Sequence, residues 1–312
     1  GVFYIGCAGG VTTVGDIPAE RGVPAGGSTA FSLSITGLRG GHSGAEIHEG
    51  RANAVKLGAR LLWEIHEHYP IRVARIEGGG KHNAIPREFF ATFTAQENQA
   101  DAVREAAAAL SSAFHGELDD IDPNLEVELR EEREVPEKVL SPKCTSRVIN
   151  TLYIIPHGVD EMSRTIEGMV ETSTNLASVE LREHDIRVIT SQRSAMMSKR
   201  DDMCSRITAA MRTANAKVNY IAAYPAWTPD RDNPLIEICG SAYRTLFGEE
   251  PTVTAIHAGL ESGVIGDNFS DMHMISFGPD IHEVHTPDEH ISVTSVEHVW
   301  RLLLEVLDKL EV

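Results

Sequence analysis

From Phe31 to Thr36 apolar and polar residues alternate strictly, Phe31, Leu33 and Ile35 interleaving with Ser32, Ser34 and Thr36. A period of two marks a strand with one buried face. The period then lengthens. Leu57, Leu61 and Ile65 fall at i, i+4 and i+8, which predicts an amphipathic helix ending before Pro70. The runs IRVARIE and REFFATFTA read as strands, Val103, Ala107, Leu110 and Phe114 mark a second helix, and Leu125, Val127 and Leu129 alternate with charged neighbours as another strand. The predicted order is β-α-β-β-α-β, a ferredoxin-like split unit. From Ser141-Pro142, an N-cap and first helical position, a partial second copy is expected: a helix reaching Pro156, a hairpin of ASVELRE and IRVITSQ turning at His184-Asp185, a helix over 201–214 and the strand VNYIAA.

The Pro/Asp-rich stretch YPAWTPDRDNP, residues 224–234, reads as a boundary. Beyond it come a helix over 235–246, short apolar segments near Val253 and at 274–277, and a last helix. That helix carries Val296, Trp300, Leu303, Leu307 and Leu310 on one stripe, so it is expected to pack on a core through them. At the other end, the run VFYI looks like a buried strand with nothing before it to pair with. The chain is therefore expected to be an N-terminally truncated fragment.

Length gives a prior of about two domains. The balance of 28 Lys+Arg against 46 Asp+Glu, a formal charge of -18, repels phosphate backbones and anionic membrane surfaces, so neither nucleic acid nor membrane is an expected partner. Cys7, Cys144, Cys204 and Cys239 lie far apart without a CxxC pair, which fits a reducing, cytoplasmic setting and neither a zinc knuckle nor a disulfide framework. No apolar run approaches the roughly 20 residues of a membrane helix.

Candidate chemistry sits in four polar islands within glycine- or proline-rich turns: GGHSG with His42, KHNAIPRE with Asn83, SQRSAMMSKR with Arg193, and HAGLESG with GPDIHEVHTPDE, holding Gly259 and His285. Each alone has a bland reading. His42 could be a solvated turn histidine, Asn83 an Asx-turn residue and Arg193 an exposed salt-bridge partner. The segment IHEVHTPDEH offers zinc-type ligands in His282, Glu283, His285, Asp288, Glu289 and His290, because imidazole nitrogen and carboxylate oxygen suit that ion. It is not HExxH, and Thr286-Pro287 breaks any helix that would put two histidines on one face. One histidine lent to a site assembled from elsewhere is the better expectation. His66 and His68, two apart on a helix, read as structural surface residues.

Taken together, GLRGGHSGAEIHEGRANA, GGGKHNAIPRE, HAGLESG and GPDIHEVHTPDE, with CAGG near the start and the SQRS strand, closely resemble the aminoacyl-histidine dipeptidases, the Xaa-His dipeptidase or peptidase D group of the co-catalytic zinc peptidases. The resemblance spans almost the whole chain. It implies an α/β catalytic domain portion, at 1–13 and 225–312, interrupted by a large inserted α+β lid/dimerisation domain at 14–224 that carries the ferredoxin-like units. It implies hydrolysis of dipeptides by a homodimer with two zinc ions per subunit, Mn2+ or Co2+ being possible substitutes. His285 becomes a metal ligand, and His42 the lid histidine that reaches into the partner's active site as oxyanion donor. Asn83 and Arg193 match residues that hold the substrate's carboxylate and reacting group, and Gly259 matches a backbone contact to substrate. Glu46, His48 and Glu49 read as the polar entry to the following helix.

Two features depart from the pattern. Ser262 stands where relatives often have Cys, and the family's HxD motif, Glu-Glu pair and further Asp ligand would precede the first strand, so the 312 residues alone are expected to be inactive. Two other readings stay open: a sibling aminoacylase or carboxypeptidase, and a non-catalytic dimerisation or binding module of the same fold.

Overall fold

The computed structural model describes residues 1–282 and 289–310. The chain opens with strands β1 (Val2–Cys7) and β2 (Gly9–Pro18). There follow β3 (Ser28–Thr36), the short β4 (Gly41–His42), helix α1 (Ala54–His68), β5 (Arg72–Gly79), the short β6 (Ala84–Ile85), β7 (Phe89–Gln96), α2 (Ala100–Leu118) and β8 (Glu126–Glu132). Next come α3 (Pro142–Ile154), β9 (Gly158–Met162), β10 (Val170–Leu181), β11 (Asp185–Ser194), α4 (Met197–Thr213) and β12 (Lys217–Tyr224). The last stretch holds α5 (Leu235–Phe247), β13 (Thr252–Ile256), α6 (Glu261–Asn268) and α7 (Val293–Lys309).

Nine strands form one sheet, in the order β12-β2-β11-β10-β5-β7-β3-β8 with β9 paired to β10. The strands β3, β5, β7 and β8 with helices α1 and α2 make one four-stranded unit. A second unit of the same strand order takes β10, β11, β12, α3 and α4, and its first strand is β2, which precedes the first unit in the chain. Antiparallel pairing of β10 with β5, Ser178 opposite Gly79, joins the two. β2 pairs with β11 from Gly9 to Pro18, so it runs unbroken through the boundary expected at residue 13.

Local signals explain the helices. Ser141 Oγ accepts from the Cys144 N–H at 3.2 Å with Pro142 in the first turn, and Asn53 Oδ1 accepts from the Lys56 N–H at 3.1 Å to cap α1. Helices α1 to α4 share one core with the strands, in which Phe31, Phe89, Phe93, Leu61 and Leu62 are fully buried. Gly58 lets α1 approach the sheet, because a Cβ there would stand 2.2 Å from the buried Phe89 ring. Alanine at 58 would gain about 1 kcal/mol of helix propensity but meets a ring with no room to retreat, and overpacking costs about 1–3 kcal/mol. Gly58→Ala is therefore expected to lower stability in urea denaturation; a rise would mean that helix and sheet are not in such close contact.

A second, smaller core joins Phe3, Cys239, Ala242, Leu302 and Val306. β1, before which the sequence offers nothing to pair with, pairs in parallel with β13 from much later in the chain, Val2 opposite Thr252. The last helix is where the sequence pattern misleads. α7 buries Leu302 and Val306, while Val296, Trp300, Leu303 and Leu307 of the expected stripe are exposed, Trp300 at 58%. Apolar residues occur nearly all round this helix, so the stripe did not single out the buried face. All four cysteines are free and buried. Among the described residues no helix is long and apolar enough to cross a membrane.

Candidate active site

His42 projects from a loop that only glycine can make, since Gly40 and Gly41 have φ of 61° and 147°. The loop is clamped on both sides. β4 pairs with β6, placing His42 opposite Ala84, and the Ser43 N–H donates to the Asn83 carbonyl at 2.9 Å. Glu46 does not lead into a helix as expected: α1 begins only at Ala54, and Ile47–Glu49 is a single 3-10 turn. Instead the Glu46 carboxylate accepts the His42 N–H at 2.6 Å and pairs with Arg51 at 2.8 Å, while Arg51 also pairs with Glu49 and donates to the Gly40 carbonyl at 2.6 Å. Burial pushes the Glu46 carboxyl up, but the His42 N–H and the Arg51 guanidinium outweigh it and hold the group below the usual range. Glu46 thus braces the loop as a carboxylate.

The His42 ring has a defined role as well as a place. Its Nδ1 accepts from the N–H groups of Gly44 at 3.2 Å and Ala45 at 3.0 Å, so the neutral ring carries its proton on Nε2 and is a hydrogen-bond donor there. Next to it lies Gly44, where a Cβ would sit 2.7 Å from the His257 carbonyl, 3.0 Å from His42 Cε1 and 3.2 Å from Arg193 Cζ. Within one chain, then, His42, Arg193 and the segment leading to Gly259 converge on a single point.

Arg193 is no surface residue. It lies on β11 between Ser173 of β10 and Gly10 of β2, only 7% exposed, and its Nη1 donates to the Tyr224 hydroxyl at 2.7 Å. Around it runs an unusual polar interior: Thr172, Ser173, Thr174, Asn175, Thr190, Gln192 and Ser194 are all buried. Thr13 donates to Gln192 at 2.7 Å and Ser173 Oγ meets His257 Nε2 at 2.7 Å, while Asn175 Nδ2 donates to the Ala84 carbonyl at 2.8 Å and so fixes the loop of Asn83. Burial pushes the His257 imidazole down to about 3, helped by Arg193 nearby, so the ring is neutral.

His42 and Asn83 line a cleft of about 1090 Å³, with Arg51, Pro86, Ile256 and Ala258. Gly259, next in the chain to Ala258, lies against the Tyr224 ring. His285 lies outside the described residues, as do Glu283 and Asp288. His282 and His290 stack with ring centroids 5.1 Å apart on a two-residue strand pair. Among the described residues no group of three or more His, Cys, Asp or Glu side chains is placed to hold a metal ion, so these residues alone do not fit a two-zinc centre. His66 is structural, its Nε2 2.8 Å from Ser146 Oγ. Sequence reasoning missed Tyr224, Ser173, Asn175 and His257. The runs TSTN and TSQRS were the available signal, polar residues in strands where a core would take apolar ones.

Comparison with known proteins finds matches along the chain. A model of the peptidase dimerisation domain matches residues 33–121. The Cytosol non-specific dipeptidase of Escherichia coli (strain K12) is 35% identical over 311 residues, 99% of this chain and 64% of the relative. The crystal structure of the Aminoacylhistidine Dipeptidase from Vibrio alginolyticus superposes with a TM-score of 0.92 at 32% identity, covering 99% of this chain and 63% of that one. The chain spans just under two thirds of the length of each of these relatives. Along 99% of its length the chain is thus similar in sequence and fold to these two dipeptidases, and residues 33–121 match the peptidase dimerisation domain.

Proposed function

We propose that the parent protein is a metallodipeptidase that hydrolyses Xaa-His and related dipeptides as a homodimer. The observation that carries this reading is the convergence of a hydrogen-bond-donating His42 and a buried Arg193 on Gly44, beside the cleft. Amide hydrolysis develops negative charge on the scissile oxygen, and a preorganised donor aimed at it lowers the barrier. His42 Nε2–H is that donor. Arg193, with Asn83, receives the substrate's C-terminal carboxylate, and a guanidinium does so through a planar fork that lysine lacks. Holding that end fixes the distance to the scissile bond, which selects dipeptides. The backbone of Gly259 contacts the substrate.

Two zinc ions are the expected cofactor, with Mn2+ or Co2+ as possible substitutes and His285 as the ligand that the resemblance supplies in this chain. We divide the chain into catalytic pieces at 1–13 and 225–312 and a lid of two ferredoxin-like units at 14–224; the continuity of β2 favours shifting the first boundary to Gly9. Dimerisation through the lid rests on the domain match over 33–121.

The test is the full-length protein with zinc or manganese on an Xaa-His dipeptide, beside its His285→Ala variant. Chelator-sensitive turnover is expected in the parent, and loss of both bound metal and activity in the variant. A parent without dipeptide turnover overturns the function, and a variant that keeps its full metal content overturns His285 as a ligand.

A further inference from the structure

Arg193 is a buried cation without a carboxylate partner: among the described residues no Asp or Glu lies within ion-pair distance of it, and its Nε is sealed from solvent with no acceptor. A charge held this way is costly unless an anion completes it. Among the described residues its guanidinium has a single acceptor, the Tyr224 hydroxyl, at 2.7 Å. That oxygen accepts from Arg193, so its own proton remains free to be donated elsewhere. Burial pushes the phenol up, against the pull of Arg193, and the hydroxyl keeps its proton at neutral pH.

The ring's position is built in by two glycines. A Cβ on Gly10 would stand 2.3 Å from the Tyr224 hydroxyl oxygen, and one on Gly259 2.8 Å from the ring's Cε2. Tyr224 therefore fills the space between Arg193 and Gly259, two residues read above as substrate contacts. We propose that Tyr224 is a further substrate-binding and specificity-determining residue, whose phenolic O–H donates to the carboxylate end of the dipeptide beside the Arg193 guanidinium. This rests on the reading under Proposed function for the identity of the ligand, but the anion site itself rests on the unpaired cation and the two donors. A terminal amide would bring its own N–H donors against these donors, whereas a carboxylate only accepts. Tyr224 thus favours free dipeptides over amidated ones.

The experiment compares full-length wild type, Tyr224→Phe and Arg193→Lys on an Xaa-His dipeptide and on its C-terminal amide. Phenylalanine keeps the ring between the glycines, so folding should be retained. Loss of a hydrogen bond to a charged group is expected to raise KM for the free dipeptide about tenfold in Tyr224→Phe, with kcat within about twofold and KM for the amide almost unchanged. Equal increases for both substrates would reduce Tyr224 to a support for the local fold and overturn the proposal. Thermal shift with N-acetylglycine and N-acetylglycinamide reads the anion site without turnover. The carboxylate alone should stabilise wild type, with about tenfold weaker apparent binding in Tyr224→Phe. If wild type hydrolyses no dipeptide but responds to the carboxylate, the substrate reading fails and the anion site stands; if neither probe shifts wild type, the site itself is overturned.

Discussion

His42→Ala in the full-length protein is expected to lower kcat about a hundred- to a thousandfold, with KM and metal content little changed, because removing one preorganised oxyanion donor costs on that order. The local geometry supports a selective effect. Glu46 and Arg51 hold the loop through the His42 backbone N–H and the Gly40 carbonyl, which alanine leaves in place. A loss of stability rather than of rate would return His42 to the turn residue that its glycine neighbours first suggested. A mixing experiment then asks which subunit His42 serves. The single chain has it against its own Arg193, while the resemblance assigns it to the partner's site. Subunits carrying His42→Ala, exchanged with subunits carrying His285→Ala, should regain activity in heterodimers, because one site then combines an intact His285 with the partner's intact His42. We expect that recovery, since the dimerisation-domain match includes residue 42. Demonstrated exchange without recovery would make the site one of a single chain.

Much of the fold is legible because each element has one buried face. β3 alternates, α1 repeats every third or fourth residue, and Ser141 and Asn53 occupy caps, so period and capping agree. β2 is the counterexample. It is buried on both faces for most of its length and places Val11, Val14 and Ile17 without alternation, and its partners β11 and β12 lie more than 160 residues on. No local signal reports a pairing of that range. The candidate site residues were picked out as motifs, but the contacts that support them were not. Glu46 looked like a helix entry and proved a brace, Tyr224 looked like the start of a boundary segment and lies against Arg193, and both assignments depend on neighbours that only the folded chain brings together. The buried polar runs on β10 and β11 were the one hint written in the sequence, since a strand interior filled with Thr, Ser, Asn and Gln requires partners.

Stability is expected to fall steadily as pH drops below 6.5, before the carboxylates begin to titrate, and His257 is a principal cause. In the unfolded chain its imidazole takes up a proton near pH 6.5; in the folded chain burial and the neighbouring Arg193 delay this to about pH 3. Between those values only the unfolded state holds the proton, so falling pH favours unfolding, by about 1.4 kcal/mol per unit for a group fully neutral in the fold. His157, pushed down to about 4 by burial with Lys56 nearby, adds a contribution of the same sign. The carboxylates held low, Asp16 by Arg187 and Glu46 by the His42 N–H and Arg51, lose their contribution only as pH falls from the ordinary carboxylate range toward their lowered values. The window from pH 6.5 to 5 therefore isolates the histidines. Urea denaturation across it should show a loss on the order of 2 kcal/mol from His257 alone. His257→Gln keeps an amide to meet Ser173 Oγ but removes the titration, and is expected to flatten the profile by that amount. An unchanged slope in the variant would mean that His257 exchanges protons as freely in the fold as outside it, and the neutral, sealed ring behind Arg193 would have to be abandoned.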